Sequence, residues 1–130
     1  MSFYSRSQKI GSAFRTFWHF RPNRFYLLFF ALSQAVAWWQ AGFIFRHLTS
    51  NFLVLHYNIN FGIDSVGVPA QIFLFPLYCL GVLLVNLFIA VAMYRQKNFR
   101  TFSHLLLASA LFFAVILNLV LFFVYLINFK

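Results

Sequence analysis

Three long apolar runs dominate the pattern of hydrophobic and polar positions along this chain. They are Phe25–Ile44, Ile72–Tyr94 and Leu105–Phe129. Each is long enough to cross about 30 Å of hydrocarbon, which takes roughly 20 residues of α-helix. None contains Asp, Glu, Lys or Arg, and none alternates with the period of a membrane β-strand. The pattern predicts an all-α membrane protein with three transmembrane helices, at about residues 25–44, 70–94 and 105–128.

The composition supports a chain that has the lipid bilayer as its solvent. Apolar residues make up 63% of the sequence and charged residues 8%, against about 25% charged residues in an ordinary soluble domain. Backbone amides in lipid must be satisfied within their own segment, so helices are the expected spanning elements. The predicted organisation is a basic aromatic segment at residues 1–24, followed by a three-helix transmembrane domain at residues 25–130.

The basic residues predict the orientation of the spans. They are, in order, Arg6, Lys9, Arg15, Arg21, Arg24, Arg46, Arg95, Lys97, Arg100 and Lys130. Eight of these ten share one side of the bilayer, and the positive-inside rule makes that side the cytoplasm, which gives an N-in, C-out topology. The net charge of +9 is thus a topology signal. Because it forms no separate basic domain, we expect no nucleic-acid partner.

The N-terminal segment mixes basic and aromatic residues, which is typical of a helix at the membrane surface. A helix over residues 10–20 would gather on one face Ile10, Phe14, Phe17 and Trp18. We expect Arg21-Pro22-Asn23 to end this helix, because the residue before a proline is pushed out of the α region. A disordered basic tail is the alternative.

The first apolar run also contains a small-x-small sequence of the kind that signal peptidases cleave. Ala35-Val36-Ala37 follows an apolar stretch, as in a signal peptide. Apolar residues nevertheless continue through Ile44, so we favour a retained anchor. Trp38 and Trp39 then fall near the outer part of the helix, in the aromatic belt.

The connector at residues 45–69 is predicted to be external and is too apolar for a solvated loop. Its apolar positions alternate up to Gly62, as in a strand, and are Leu53, Leu55, Tyr57, Ile59 and Phe61. We expect this segment to lie on the outer membrane surface, pack on the helix ends or meet a partner. The predicted partner contacts are Tyr57, Asn58 and Phe61. Pro69 is placed in the first turn of the second helix, with Asp64 as its N-cap or a nearby favourable charge.

The same connector carries a resemblance. LHYNINFGID, followed by a Gly and then by QIFLFPL, resembles a block in small multi-spanning bacterial inner-membrane proteins. The distinctive part is HYNI-x-FGID, within residues 54–64, and the similarity extends over roughly residues 54–128. It implies a multi-pass protein of the bacterial inner membrane and no particular activity. The chain departs from the block at Val68, Pro69 and Ala70, where that group has an aromatic-polar pair before the Gln.

No residue set in the sequence predicts a cofactor, a metal site or catalysis. His47, His56 and Asp64 are suitable zinc ligands, but their spacing matches no known ligand motif. The four histidines lie outside the spans or at their edges, which argues against haem, and Cys79 is the single cysteine. With Asp64 as the one carboxylate side chain, two-carboxylate chemistry is excluded within a single chain.

Polar residues inside the spans are predicted to pair helices. They are Ser33, Gln34, Gln40, Asn86, Ser109 and Asn118. Gln34 and Asn86 lie at similar depths in helices one and two, so we expect a hydrogen bond between them. Asn118 lies deeper, without a matched partner, and is predicted to face a second copy or another subunit. The alternative is a translocation path, but such paths usually use ionisable groups or internal repeats.

These observations predict a non-catalytic membrane protein: a small subunit, scaffold or assembly component that binds other membrane subunits or itself. The alternative is a small oligomeric transporter or channel, because three helices alone seldom enclose a pore. An enzyme ranks third, since no acid and base are paired.

Overall fold

The computed structural model describes residues 3–58, 60 and 62–129. For residues 3–10, 57, 58 and 64 it describes the backbone only. Its helices are α1 (Phe3–His19), α2 (Arg21–His47), a 3-10 helix (Pro69–Phe73), α3 (Leu74–Ala92) and α4 (Phe99–Phe129). Its strands are β1 (Leu53–Asn58) and β2 (Gly62–Gly67).

Three helical segments are long and apolar enough to cross a membrane, as predicted. They are α2, the continuous stretch Pro69–Ala92 and α4. The expected break at Arg21-Pro22-Asn23 is wrong, because the extended residue is Phe20 and α2 begins at Arg21. Pro22 lies in the first turn of α2, where a missing N–H breaks no hydrogen bond of the helix.

α2 and α4 run side by side in the same direction. Asn23 meets Ser103 near the start of both helices, and Phe43 meets Tyr125 and Phe129 near their ends. α3, which lies between α2 and α4 in the sequence, runs in the opposite direction. We call the end that holds α1, the start of α2 and residues 93–100 the basic end, and the opposite end the hairpin end.

The core of the bundle is built at helical spacing, with several small residues. Its fully buried alanines are Ala37 and Ala41 in α2 and Ala110 and Ala114 in α4. Each pair is four residues apart, which is the small-xxx-small spacing that lets membrane helices approach closely. A second cluster at the basic end surrounds Phe17, whose side chain packs among residues of α3 and α4.

This second cluster changes the expected apolar face of α1. Phe17 is buried, whereas Phe14 and Trp18 are exposed and stack on each other with ring centroids 6.1 Å apart. The common face predicted for them is therefore split, because Phe17 and Ala13 turn toward the bundle. The side chain of Ile10, the fourth member, lies outside the described residues.

The connector contains a β-hairpin that the all-α prediction did not include. β1 and β2 are antiparallel, with Leu53 opposite Gly67 and Asn58 opposite Gly62. Gly62 has φ +79°, a conformation that only glycine adopts without strain, so the pattern that stops there marks the turn into β2.

The hairpin packs on the helix ends, which is one of the alternatives expected for the connector. Leu53 is fully buried in the main core. The amide of Asn128 in α4 binds the backbone of Val54 twice: Val54 N donates to Oδ1 at 2.9 Å and Nδ2 donates to Val54 O at 2.8 Å. This side chain acts as a short neighbouring strand and fixes the hairpin against α4.

Candidate functional site: a groove between α2 and α4

The hydrogen bond predicted between Gln34 and Asn86 is wrong. Gln34 Nε2 donates to the carbonyl oxygen of Pro76 at 2.6 Å, and Asn86 Nδ2 donates to Leu106 O at 2.9 Å and to Ser109 Oγ at 3.3 Å. Two side chains at the same depth in the membrane need not lie on facing sides of their helices. The short turn at residues 93–98 puts the second half of α3 beside the first half of α4, so Asn86 meets α4.

Asn118 was predicted to lack a partner in its own chain, and this is wrong because its amide nitrogen bonds within the chain. Nδ2 lies 2.8 Å from Ser33 Oγ, 3.1 Å from Ser33 O and 2.8 Å from Ala114 O. Its carbonyl oxygen is buried and has no partner within the described chain. The amide nitrogen of Asn118 thus joins α4 to α2, whereas its carbonyl oxygen accepts no hydrogen bond from the described residues.

A groove runs along the surface between α2 and α4, beside Asn118. It consists of two adjoining cavities, of about 350 and 260 Å³, which share Gln40 and Phe122. The first is lined by Ser33, Val36, Gln40, Val115, Asn118, Leu119 and Phe122. The second is lined by Trp39, Gln40, Phe43, Ile44, Phe122 and Tyr125. We call this surface the α2–α4 groove.

Gln40 is the polar residue at the centre of the α2–α4 groove. Its carbonyl oxygen is buried, and no described residue donates a hydrogen bond to it. An acceptor left in this state costs roughly 1–3 kcal/mol, and lipid offers no water to satisfy it. Gln40 and Asn118 therefore place two unused acceptors beside one mostly apolar groove. The sequence identifies Gln40 as a polar residue in a span, but it does not predict that Gln40 lies at the centre of a groove.

Two other buried polar side chains were not predicted from the sequence. Asn23 and Ser103 are completely buried at the basic end, where Ser103 Oγ donates to Asn23 Oδ1 at 2.9 Å and Asn23 Nδ2 donates to Phe17 O at 3.0 Å. Both lie outside the apolar runs, so their burial left no signal in the hydropathy pattern. They join α1, α2 and α4.

The candidates in the connector are only partly described. Tyr57 and Asn58 belong to β1, but their side chains lie outside the described residues, as does Phe61. Asp64 lies in β2. The N-cap alternative predicted for it is wrong, because Val68 holds that position before the 3-10 helix, and the alternative of a nearby favourable charge stays a prediction. The partner contacts predicted at these residues stay predictions.

The histidines considered as metal ligands have no shared site in the described part of the chain. His47 Nδ1 lies 2.9 Å from Phe43 O, and its ring stacks on Phe43. Among the described residues, no three His, Cys, Asp or Glu side chains come together. The carboxylate of Asp64 lies outside the described residues.

Comparison with protein-family models, curated proteins and solved structures finds no match to this chain. The resemblance of residues 54–64 to bacterial inner-membrane proteins stays an expectation.

Proposed function

We propose that this protein is a non-catalytic integral membrane subunit, a scaffold or assembly component that binds another membrane protein through the α2–α4 groove. The observation that carries the proposal is Gln40, whose buried carbonyl oxygen has no donor among the described residues. Gln40 lines the groove, so rotation of its amide on binding would bring this oxygen to a Ser, Thr, Asn or Gln side chain of a partner helix, as polar residues bond between membrane helices.

The use of the other polar groups supports binding over transport. Gln34, Asn86 and Asn118 all bond to a neighbouring helix, so they hold the bundle together. The one acidic side chain of the sequence, Asp64, lies in the hairpin segment, so no span carries a carboxylate for a relay. In the most apolar 18-residue stretch of each span, only 17–28% of the residues are buried, which leaves wide surfaces for lipid or a partner.

We further propose an N-in, C-out orientation in a bacterial inner membrane, with α1 at the cytoplasmic surface. The basic residues before residue 25 and those between α3 and α4 belong to the same end of the bundle, as the positive-inside rule requires of cytoplasmic segments. The inner-membrane location is supported by the HYNI-x-FGID resemblance.

The test is purification of the whole protein from its native membrane in mild detergent, followed by native mass spectrometry. We expect a stoichiometric protein partner. Replacing Gln40 by Leu should reduce its recovery about threefold to twentyfold, the range expected for one hydrogen bond between membrane helices. The matched control is Gln96→Leu, in the exposed turn between α3 and α4, which should leave recovery unchanged.

The stability of the variant separates a partner contact from a structural role. Because no described residue donates to the Gln40 oxygen, Gln40→Leu should unfold at the same temperature as the natural chain or higher. Full partner recovery with Gln40→Leu would contradict the groove as the binding surface. A homo-oligomer with a water-filled centre would instead support the transporter or channel.

A further inference from the structure

A separate cavity lies at the basic end, away from the α2–α4 groove. It measures about 360 Å³ and is lined by Arg15, Thr16, His19, Phe20, Phe99 and Arg100. The lining joins the last turns of α1 to the first turn of α4. We call it the basic-end cavity. It plays no part in the proposed binding of a partner helix.

No carboxylate of the described residues pairs with the two guanidinium groups of this cavity. Arg15 and Arg100 are both exposed, and the Cζ atom of Arg100 lies 5.8 Å from the centroid of the Phe20 ring. The sequence contains one acidic side chain, that of Asp64, and its residue belongs to β2 at the hairpin end. No acidic side chain of this sequence therefore supplies a counter-charge at the basic end.

The surrounding backbone also favours an anion. α4 begins at Phe99 and α2 begins at Arg21, directly after Phe20, and neither helix has an acidic residue in its first turn. The start of a helix carries a partial positive charge. The N–H groups of Asn23, Phe99 and Phe102 are already bonded within the chain, so this charge is what favours an anion here. At the opposing negative end of α1, two carbonyl groups are bonded to side chains: Arg24 Nε donates to Trp18 O at 2.8 Å and Asn23 Nδ2 donates to Phe17 O at 3.0 Å.

We infer that the basic-end cavity binds a phosphate group, carried by the headgroup of an anionic phospholipid. Arg15 and Arg100 would hold the phosphate oxygens, since a guanidinium fork matches phosphate geometry. The exposed rings of Phe14 and Trp18 lie on the same helix as Arg15, where they suit the headgroup layer. The basic charge of this end would then act partly through one built site and not only through diffuse attraction.

The test measures lipid binding to the whole protein by native mass spectrometry, with phosphatidylglycerol and phosphatidylcholine as probes. The double variant Arg15→Gln/Arg100→Gln should weaken phosphatidylglycerol binding about thirtyfold, from about 1 kcal/mol per basic residue. The control Arg95→Gln/Lys97→Gln removes the same charge from the same end, outside the cavity, and should weaken it much less. Equal losses in the two double variants would show diffuse attraction and overturn the inference.

Two further measurements sharpen the result. Arg15→Lys/Arg100→Lys keeps the charge but loses the forked geometry, so binding between that of the natural chain and that of the Gln variant supports a built site, and binding equal to the natural chain overturns it. Millimolar inorganic phosphate as competitor identifies the source: displacement of the lipid would assign the site to free phosphate, and no displacement supports the headgroup. Both arginines are exposed, so melting should confirm that every variant is folded.

Discussion

Two asparagine side chains hold the ends of the bundle to the elements beside it. At the basic end Asn23 receives a hydrogen bond from Ser103 and donates one to the last turn of α1, and at the hairpin end Asn128 binds both backbone groups of Val54. Each amide uses its donor and its acceptor, which is the condition for burying such a group without loss. A primary amide thus joins neighbouring elements at each end of the bundle.

Asn23 provides the sharpest test at this scale. Asn23→Leu should lower the free energy of unfolding by about 1–3 kcal/mol, because it leaves the Ser103 hydroxyl and the Phe17 carbonyl without their partner. Unfolding in mixed detergent, followed by circular dichroism, measures the loss. The exposed Asn51→Leu is the control. Adding Ser103→Ala to Asn23→Leu should cost less than the two single changes together, and simple additivity would contradict the pairing.

At the scale of elements, the spans were predictable and their pairing was not. Twenty apolar residues without a charge fix a membrane helix by length alone, and α2, α3 and α4 follow. Depth along a helix, however, gives the height of a side chain and not its neighbour, which is why Gln34 pairs with Pro76. The second strand was missed because Gly62–Gly67 has two glycines and an acidic residue, and its partner Leu53–Asn58 alone shows the alternating pattern.

The close approach of the helices was predictable in principle from alanine spacing, and it can be tested there. Ala41→Leu should lower the free energy of unfolding by about 1–3 kcal/mol, because the added methylene and methyl groups have no room in the core. The matched control is Ala35→Leu, on the exposed face of the same helix. Thermal unfolding in detergent distinguishes the two. Equal melting of both variants would mean that the small residues do not set the spacing.

At the scale of the whole molecule, the groove and the basic-end cavity both include residues of α4 but lie at different heights. The groove centres on Gln40, in the second half of α2, and the cavity lies before its first turn. This separation lets partner binding and phosphate binding be tested by independent substitutions. Of the groove, only the polar identity of Ser33, Gln40 and Asn118 was visible in the sequence, since cavities arise from packing.

Orientation is the prediction that belongs to the whole chain. Reporter fusions after Asn98 should read cytoplasmic, and fusions at Asn58 and Lys130 should read external, because eight of the ten basic residues then lie inside. A paired alkaline phosphatase and fluorescent protein series makes the measurement. An external signal at Asn98 would reverse the whole topology.

The parallel pairing of α2 with α4 sets an order of events during synthesis. The partners of Asn23 and Ser33 lie 80 and 85 residues further along the chain, whereas Pro76, the partner of Gln34, lies 42 residues away. At about 5–20 residues per second, α2 waits roughly 4–17 s for α4 and about half as long for α3. During that time its polar groups have no partner in α4. α2 and α3 should therefore associate first, and the arrival of α4 completes the bundle.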